Sequence, residues 1–272
     1  MDSQPNISRF AACLQVFRLT LRRQFFSRQT IVIAVLLLLA LAISVVWAVP
    51  KPWNPEPRTG EQLAEQILSP LFMGFLLPLI SLGYASSTIS GERTGQTLVY
   101  LLSTSIPRPQ IYLSQFMAVL LLTMGITLGC LGMLCVTVGM DGLAVLRAFA
   151  PVVTLATVCY VALFLLFSAW LRRATFLALA YALMVETLTS NIPGVVKRIT
   201  VSFYANSWLY DDSSLGLNPN IPAYDPVSGG TAIGVLIIAS LGFLALGMWF
   251  FSRKEYDCLL YTSPSPRDRT RS

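Results

Sequence analysis

Side chains able to do chemistry are scarce in this chain, and most of them sit in apolar surroundings. Of 272 residues, 55% are hydrophobic and 12% are charged, and there is no histidine. The commonest general base and the commonest metal ligand are therefore missing. Cys130, Cys135 and Cys159 lie inside apolar runs and read as small hydrophobes, and no Cys-x-x-Cys pair exists. Asp211 and Asp212 are adjacent, but beside "SSLGLNPN" they read as a solvated turn. Glu186, in "LALAYALMVETLTS", is the acid that stands inside an apolar run. An ionisable group there is a functional candidate, a gate or part of a substrate path, because mid-bilayer charge costs about 2.5–3.5 kcal/mol on insertion scales. The competing reading makes it an anchor of the turn that begins four residues later. No catalytic and no metal-ligating set emerges, and no G-x-x-x-x-G-K-[ST] is present to cradle a nucleotide.

A second kind of chemistry, recognition, is suggested by "SGERTGQTLVYLLSTSIPRPQ", Ser90–Gln110. Ser90 is placed to cap a helix start and Glu92 to complement its dipole. Leu98, Leu101 and Leu102 then form an i, i+3, i+4 patch, flanked by Glu92 and Arg93. Pro107 stops the helix. A short helix with one apolar patch suits a partner's groove. The plainer reading is a turn that rejoins two spans.

The elements that must hold these residues are membrane spans. About 20 apolar residues cross a bilayer. Six such runs occur: 30–49, 67–89, 111–140, 145–171, 174–190 and 230–251. Arg9, Arg18, Arg22, Arg23 and Arg28 precede the first; later segments alternate between basic excess and acidic or balanced charge. That alternation predicts both termini in the cytosol, Ser90–Gln110 in the cytosol, and 50–66 and 191–229 outside. The net charge of +6 thus reads as membrane orientation and not as nucleic-acid binding. In the arm, 1–29, Phe10, Leu14, Phe17, Leu21 and Phe25 share one face, so a helix lying in the interface or a simple anchor is expected. Gly125 and Gly129 form a GxxxG with Gly132 one turn on, read as packing within the chain or else as a subunit contact. The start lacks the layout of a secretory signal.

"GERTGQTLVYLLSTSIPRPQIYLSQF" resembles the loop between the second and third spans of type-2 ABC exporter permeases: an acidic residue, then G-x-T-L, then an "LLST-P-x-R" run. The matching residues are Glu92, Gly95, Thr97, Leu98, Leu101–Thr104, Pro107 and Arg108. "RRATFLALAYALMVETLTSNIPGVVKRIT" is similar to that family's fifth span with its Pro-Gly outer turn. The resemblance implies an all-α membrane protein of six spans, a permease subunit that binds no cofactor itself. It also implies a separate ATPase subunit holding ATP and Mg, a second permease copy, identical or paralogous, and a bacterial inner membrane. The coupling residues would be Glu92, Arg93, Gly95, Thr97, Leu98, Leu101, Leu102, Pro107 and Arg108. A secondary transporter without an ATPase remains the alternative, and a membrane enzyme the more distant one. The tail "CLLYTSPSPRDRTRS", 258–272, resembles a translated transposase-type sequencing adapter and is set apart from the permease domain, 30–257.

Cysteines introduced within 191–229 should react with an impermeant thiol reagent from outside. Reaction only from the cytosolic side overturns the six-span expectation.

Overall fold

The computed structural model describes residues 9–49, 59–94, 107–171, 179–182, 198–212 and 227–253, with the backbone alone for 9–12, 89–94 and 212. The described residues form helices, without a strand. Helix α1 (Arg9–Phe25) leads into α2 (Arg28–Ala48). Ser27 starts α2 by accepting from the Thr30 amide at 3.4 Å. Helix α3 (Gly60–Leu63), a π-helical stretch (Ala64–Leu76) and α4 (Leu77–Thr94) run on without a break. Then come α5 (Arg108–Val136), α6 (Asp141–Trp170), α7 (Val201–Asp212) and α8 (Gly229–Arg253). Among the described residues, five rods are long and apolar enough to cross a membrane: α2, Gly60–Thr88, α5, α6 and α8. The expected fifth span, 174–190, falls outside the described residues except for Leu179–Ala182, and so does the tail 258–272.

The second rod begins earlier than its hydropathy suggests. Thr59 accepts from the Gln62 amide at 3.4 Å, a Thr-x-x-Gln start that nucleates helix in what reads as a loop. Glu61 and Glu65 then fall in the first turns, where the helix dipole favours acids. Pro70 follows inside the rod. Its ring would clash with the carbonyl four residues back in an α-helix, and the wider π winding relieves that clash.

Helix α6 is the hub. Of its most apolar window 78% is buried, against 17% for α2 and α8, so α6 is central and the other two are peripheral. Val145, Phe149 and Val153 line one buried face of its first half, and from Cys159 to Leu166 every residue is buried, so there the whole circumference is covered. It packs against α8, α4 and α5. Tyr160 and Phe164 stack at 6.0 Å, and Tyr181 meets Phe164 and Phe167 edge-on at 6.1 and 5.9 Å. Three buried threonines in the spans fold back on their own helix: Thr123 to the Val119 carbonyl at 2.8 Å, Thr127 to Thr123 at 2.8 Å, Thr157 to Val153 at 2.7 Å.

Polar links between helices gather at two ends. At one, Gln24 meets Tyr84, Ser87 and Thr88, and Ser168 donates to the Ser86 carbonyl at 3.2 Å, beside an apolar stack of Trp170 on Phe250 at 5.6 Å. At the other, Ser44 meets Thr137 at 3.1 Å, Trp47 Nε1 donates to Gln66 Oε1 at 3.0 Å, and Ser69 donates to Asn206 Oδ1 at 3.1 Å.

The GxxxG glycines behave differently from the packing expected within the chain. Among the described residues nothing lies within 4 Å of a Cβ built on Gly125, Gly129 or Gly132. They share α5's outer face with the exposed Leu113, Met117 and Leu121. Glycine is required instead at other places, among them the turn Thr137–Met140 and the first turn of α6. Gly139 has φ +73°, and a Cβ on Gly142 would collide with the Cys135 carbonyl oxygen. Backbone cannot yield as a flexible side chain does, so Gly142→Ala should destabilise by about 1–3 kcal/mol. Gly125→Ala should leave the thermal unfolding midpoint in detergent unchanged. Equal midpoints for the two variants would show that the turn carries no such constraint.

Candidate functional site

The recognition segment begins as a continuation of a span. Helix α4 runs through Ser90 to Thr94, so Ser90 lies inside a helix and does not cap a new one. The reason is local: no proline from Ile89 to Thr94 stops the helix already running, Gly91 alone is tolerated, and the preceding turn supplies the carbonyls a new helix would lack. Glu92 and Arg93 are on this helical extension, with their side chains outside the description. Gly95, Thr97, Leu98, Leu101 and Leu102 lie outside the described residues, and so does Glu186. The chain is described again at Pro107, extended at φ −64° and ψ 135°, which is the N-cap of α5, with Pro109 in the first turn. The two legs, α4 and α5, thus flank residues 95–106.

Arg108 is committed to the bundle. Its Nη1 donates to the Ser252 carbonyl at 3.1 Å, in the last turn of α8. A cation there satisfies an orphan carbonyl and complements the negative end of the helix dipole. Arg253 adds a second cation, its guanidinium 4.6 Å from the Trp249 ring centre. The beginning of α5 is therefore tied to the end of α8.

Helix α1 reaches both legs. It packs along α5 and meets α4 at its C-terminal turn. Its buried residues are polar: Thr20 is 6% exposed and Gln24 5%. Gln24 Nε2 donates to Thr88 Oγ1 at 2.8 Å and to the Tyr84 carbonyl at 3.3 Å, while its Oε1 accepts from Ser87 Oγ at 3.0 Å. Apolar periodicity points instead to the Leu14–Phe25 face, whose end members are 55% and 53% exposed. The signal for the buried stripe is weak but present: Thr20 and Gln24 are one turn apart and uncharged among arginines.

At the opposite end, α7 occupies part of the stretch expected to be a loop. Val201, Phe203, Ala205 and Leu209 are buried against α6 and α8. Asn206 accepts from Ser69, and Tyr210, one turn on, also hydrogen-bonds Ser69. Burial pushes the Tyr210 phenol up from its ordinary value, the Ser69 bond opposes that, and the charge of Glu65 adds to it. Asp211 is exposed, as a solvated acid would be, but it ends a helix and not a turn. Its Oδ2 accepts from the Gly229 amide at 2.6 Å, supplying an acceptor to the first turn of α8.

Among the described residues no group of acids, cysteines or histidines could hold a metal ion. Long apolar helices packed round a buried hub, cross-linked by polar groups at two ends, define a multi-pass helical membrane protein. Residues 23–189, more than half of the chain, match the family model described as ABC-2 family transporter protein, and the chain belongs to that family. It is the transmembrane permease component of an ABC transporter and not itself the catalytic ATPase. No curated protein matches the chain.

Removing the Asp211 carboxylate should weaken the α7–α8 junction. By the usual worth of a helix-start acceptor, Asp211→Ala should cost about 0.5–2 kcal/mol and Asp211→Asn less. Unfolding midpoints of the two variants in the same detergent check this order; a silent Asp211→Ala contradicts it.

Proposed function

We propose that this permease subunit forms the substrate path of an exporter driven by a separate ATPase subunit. The observation that carries the reading is the placement of the two legs. Helix α4 leaves the bundle beside Ser168 of α6 and α5 re-enters it beside Ser252 of α8, and α6 and α8 meet there at the Trp170–Phe250 stack, so the two legs that residues 95–106 join in sequence stand at one end. That link holds the leucine patch and the "LLST-P-x-R" resemblance to exporter permeases. With no phosphate-cradling motif in the chain, ATP and Mg belong on the partner. Closure of two ATPase subunits would push the link of each permease and shift its spans between inward- and outward-facing states.

The legs' end is the cytosolic one on this reading, because the arginine-rich arm packs there and Arg172–Arg173 follow Leu171 in the sequence. A sixth crossing, with both termini inside and the protein in a bacterial inner membrane, fits the same picture. Its support is that Leu171 follows the Trp170–Phe250 stack at one end, whereas the α7 helix packs by Ser69 at the other. The second permease copy would pack on α5's outer face, where the small residues Gly125 and Gly129 allow close approach. Glu186 stays a residue of the path or of the outer turn.

Leu98→Ala combined with Leu101→Ala should release the ATPase subunit from the detergent-solubilised complex and abolish transport at normal permease abundance. A well-buried Leu truncated to Ala costs about 2–5 kcal/mol, and each 1.4 kcal/mol is about tenfold in affinity. Glu92→Gln, at the rim, should be milder. A double variant that keeps its partner and its transport makes the segment a plain turn.

A further inference from the structure

The arm α1 is attached to both legs of the link by different chemistry at its two ends. Near its C-terminus the Gln24 carboxamide spends its bonds on α4: two from Nε2, to Thr88 and the Tyr84 carbonyl, and one to Oε1 from Ser87. Its own carbonyl accepts from Thr30 Oγ1 at 2.7 Å, which fixes the corner between α1 and α2. Toward the N-terminus, Cys13 Sγ lies 4.0 Å from Gln110 Oε1 in the first turn of α5. A buried amide is costly unless bonded, and a leucine at this position would cover the same surface without that cost. What the amide adds is direction: three bonds of fixed geometry set the rotation of α1 against α4. A helix that merely anchors the chain needs no such register. The remaining surface of α1 is divided between exposed Leu14 and Phe25 on one side and exposed Arg18 and Arg22 beyond them.

We propose that α1 is a brace that fixes the spacing and rotation of the two legs, and that Gln24 is its positioning residue. A push delivered to residues 95–106 then moves α4, α5 and the arm as one body. Without the brace the link would bend at its roots. The consequence for transport rests on the reading that this link seats on an ATPase subunit; the mechanical claim does not.

The experiment separates the two. Spin labels are placed on cysteines introduced for Ser90 and Pro109, one on each leg, in purified permease without a partner. Cys13 is replaced by Ser and the other native cysteines by Ala. The reference protein should give a narrow distance distribution, and Gln24→Leu a broader or shifted one. An unchanged distribution overturns the brace. In cells, at equal permease abundance, Gln24→Leu should lower transport several-fold while the ATPase subunit still co-purifies. Loss of that subunit is instead the signature of the leucine variants. A changed spacing with full transport sinks the claim that the brace serves coupling. If Gln24→Leu does not accumulate, Ser87→Ala with Thr88→Val removes the same side-chain bonds from the α4 side and is judged by the same two outcomes.

Discussion

Hydrocarbon offers a peptide group no hydrogen-bond partner, and the whole architecture follows from that. Each crossing segment must satisfy its backbone internally, so each becomes a helix. A hydroxyl within a span is subject to the same condition. Thr123, Thr127 and Thr157 meet it by bonding the carbonyl one turn back, and they contribute no link to a neighbouring helix. What ties one helix to another is then displaced to the two ends, where water and headgroups make polar side chains affordable. The middle of the bundle is held by packing on α6, and the ends are held by specific bonds.

This division gives the two ends different work. At the Trp47 end, α7 joins the π-helical stretch to the start of α8 through Ser69, Asn206 and Asp211. At the Gln24 end, α1 joins α4 to α5 while Arg108 joins α5 to α8. Every long helix of the bundle is thereby indexed to another at one end or both. A rigid-body shift of the spans is possible only if these connections move with them, because a broken buried hydrogen bond leaves both partners unsatisfied.

Long apolar runs were legible because hydropathy over about 20 residues is a strong signal, and α2, α5, α6 and α8 all lie where the runs place them. The extension of the second rod back to Gly60 was hidden by Glu61 and Glu65, whose charges look like loop but suit a helix N-terminus. Helix α7 was missed since "VSFYANSWLYDD" is too short and too mixed to show a period. The bond that Asp211 makes was missed for a related reason: its partner, the Gly229 amide, is eighteen residues away and leaves no trace in local sequence. Gln24 was passed over because an apolar stripe next to it is louder than a polar one. The leucine patch and Glu186 are features of pattern and resemblance, and their side-chain surroundings lie outside the described residues.

The turn Thr137–Met140 has a consequence for which changes in chain length the protein can accept. It is short, and the close pass of Gly142 over the Cys135 carbonyl leaves no slack between α5 and α6. One residue inserted there would swing α6 by about 100° about its own axis, at 3.6 residues per turn. On a half-exposed helix such a rotation would put polar groups in the wrong solvent. On α6, apolar nearly all round, it would instead scramble the fit of every large side chain against three neighbouring helices at once. Relatives that differ in length should therefore carry their insertions elsewhere, and the spacing from Cys135 to Gly142 should be among the least variable intervals in the chain.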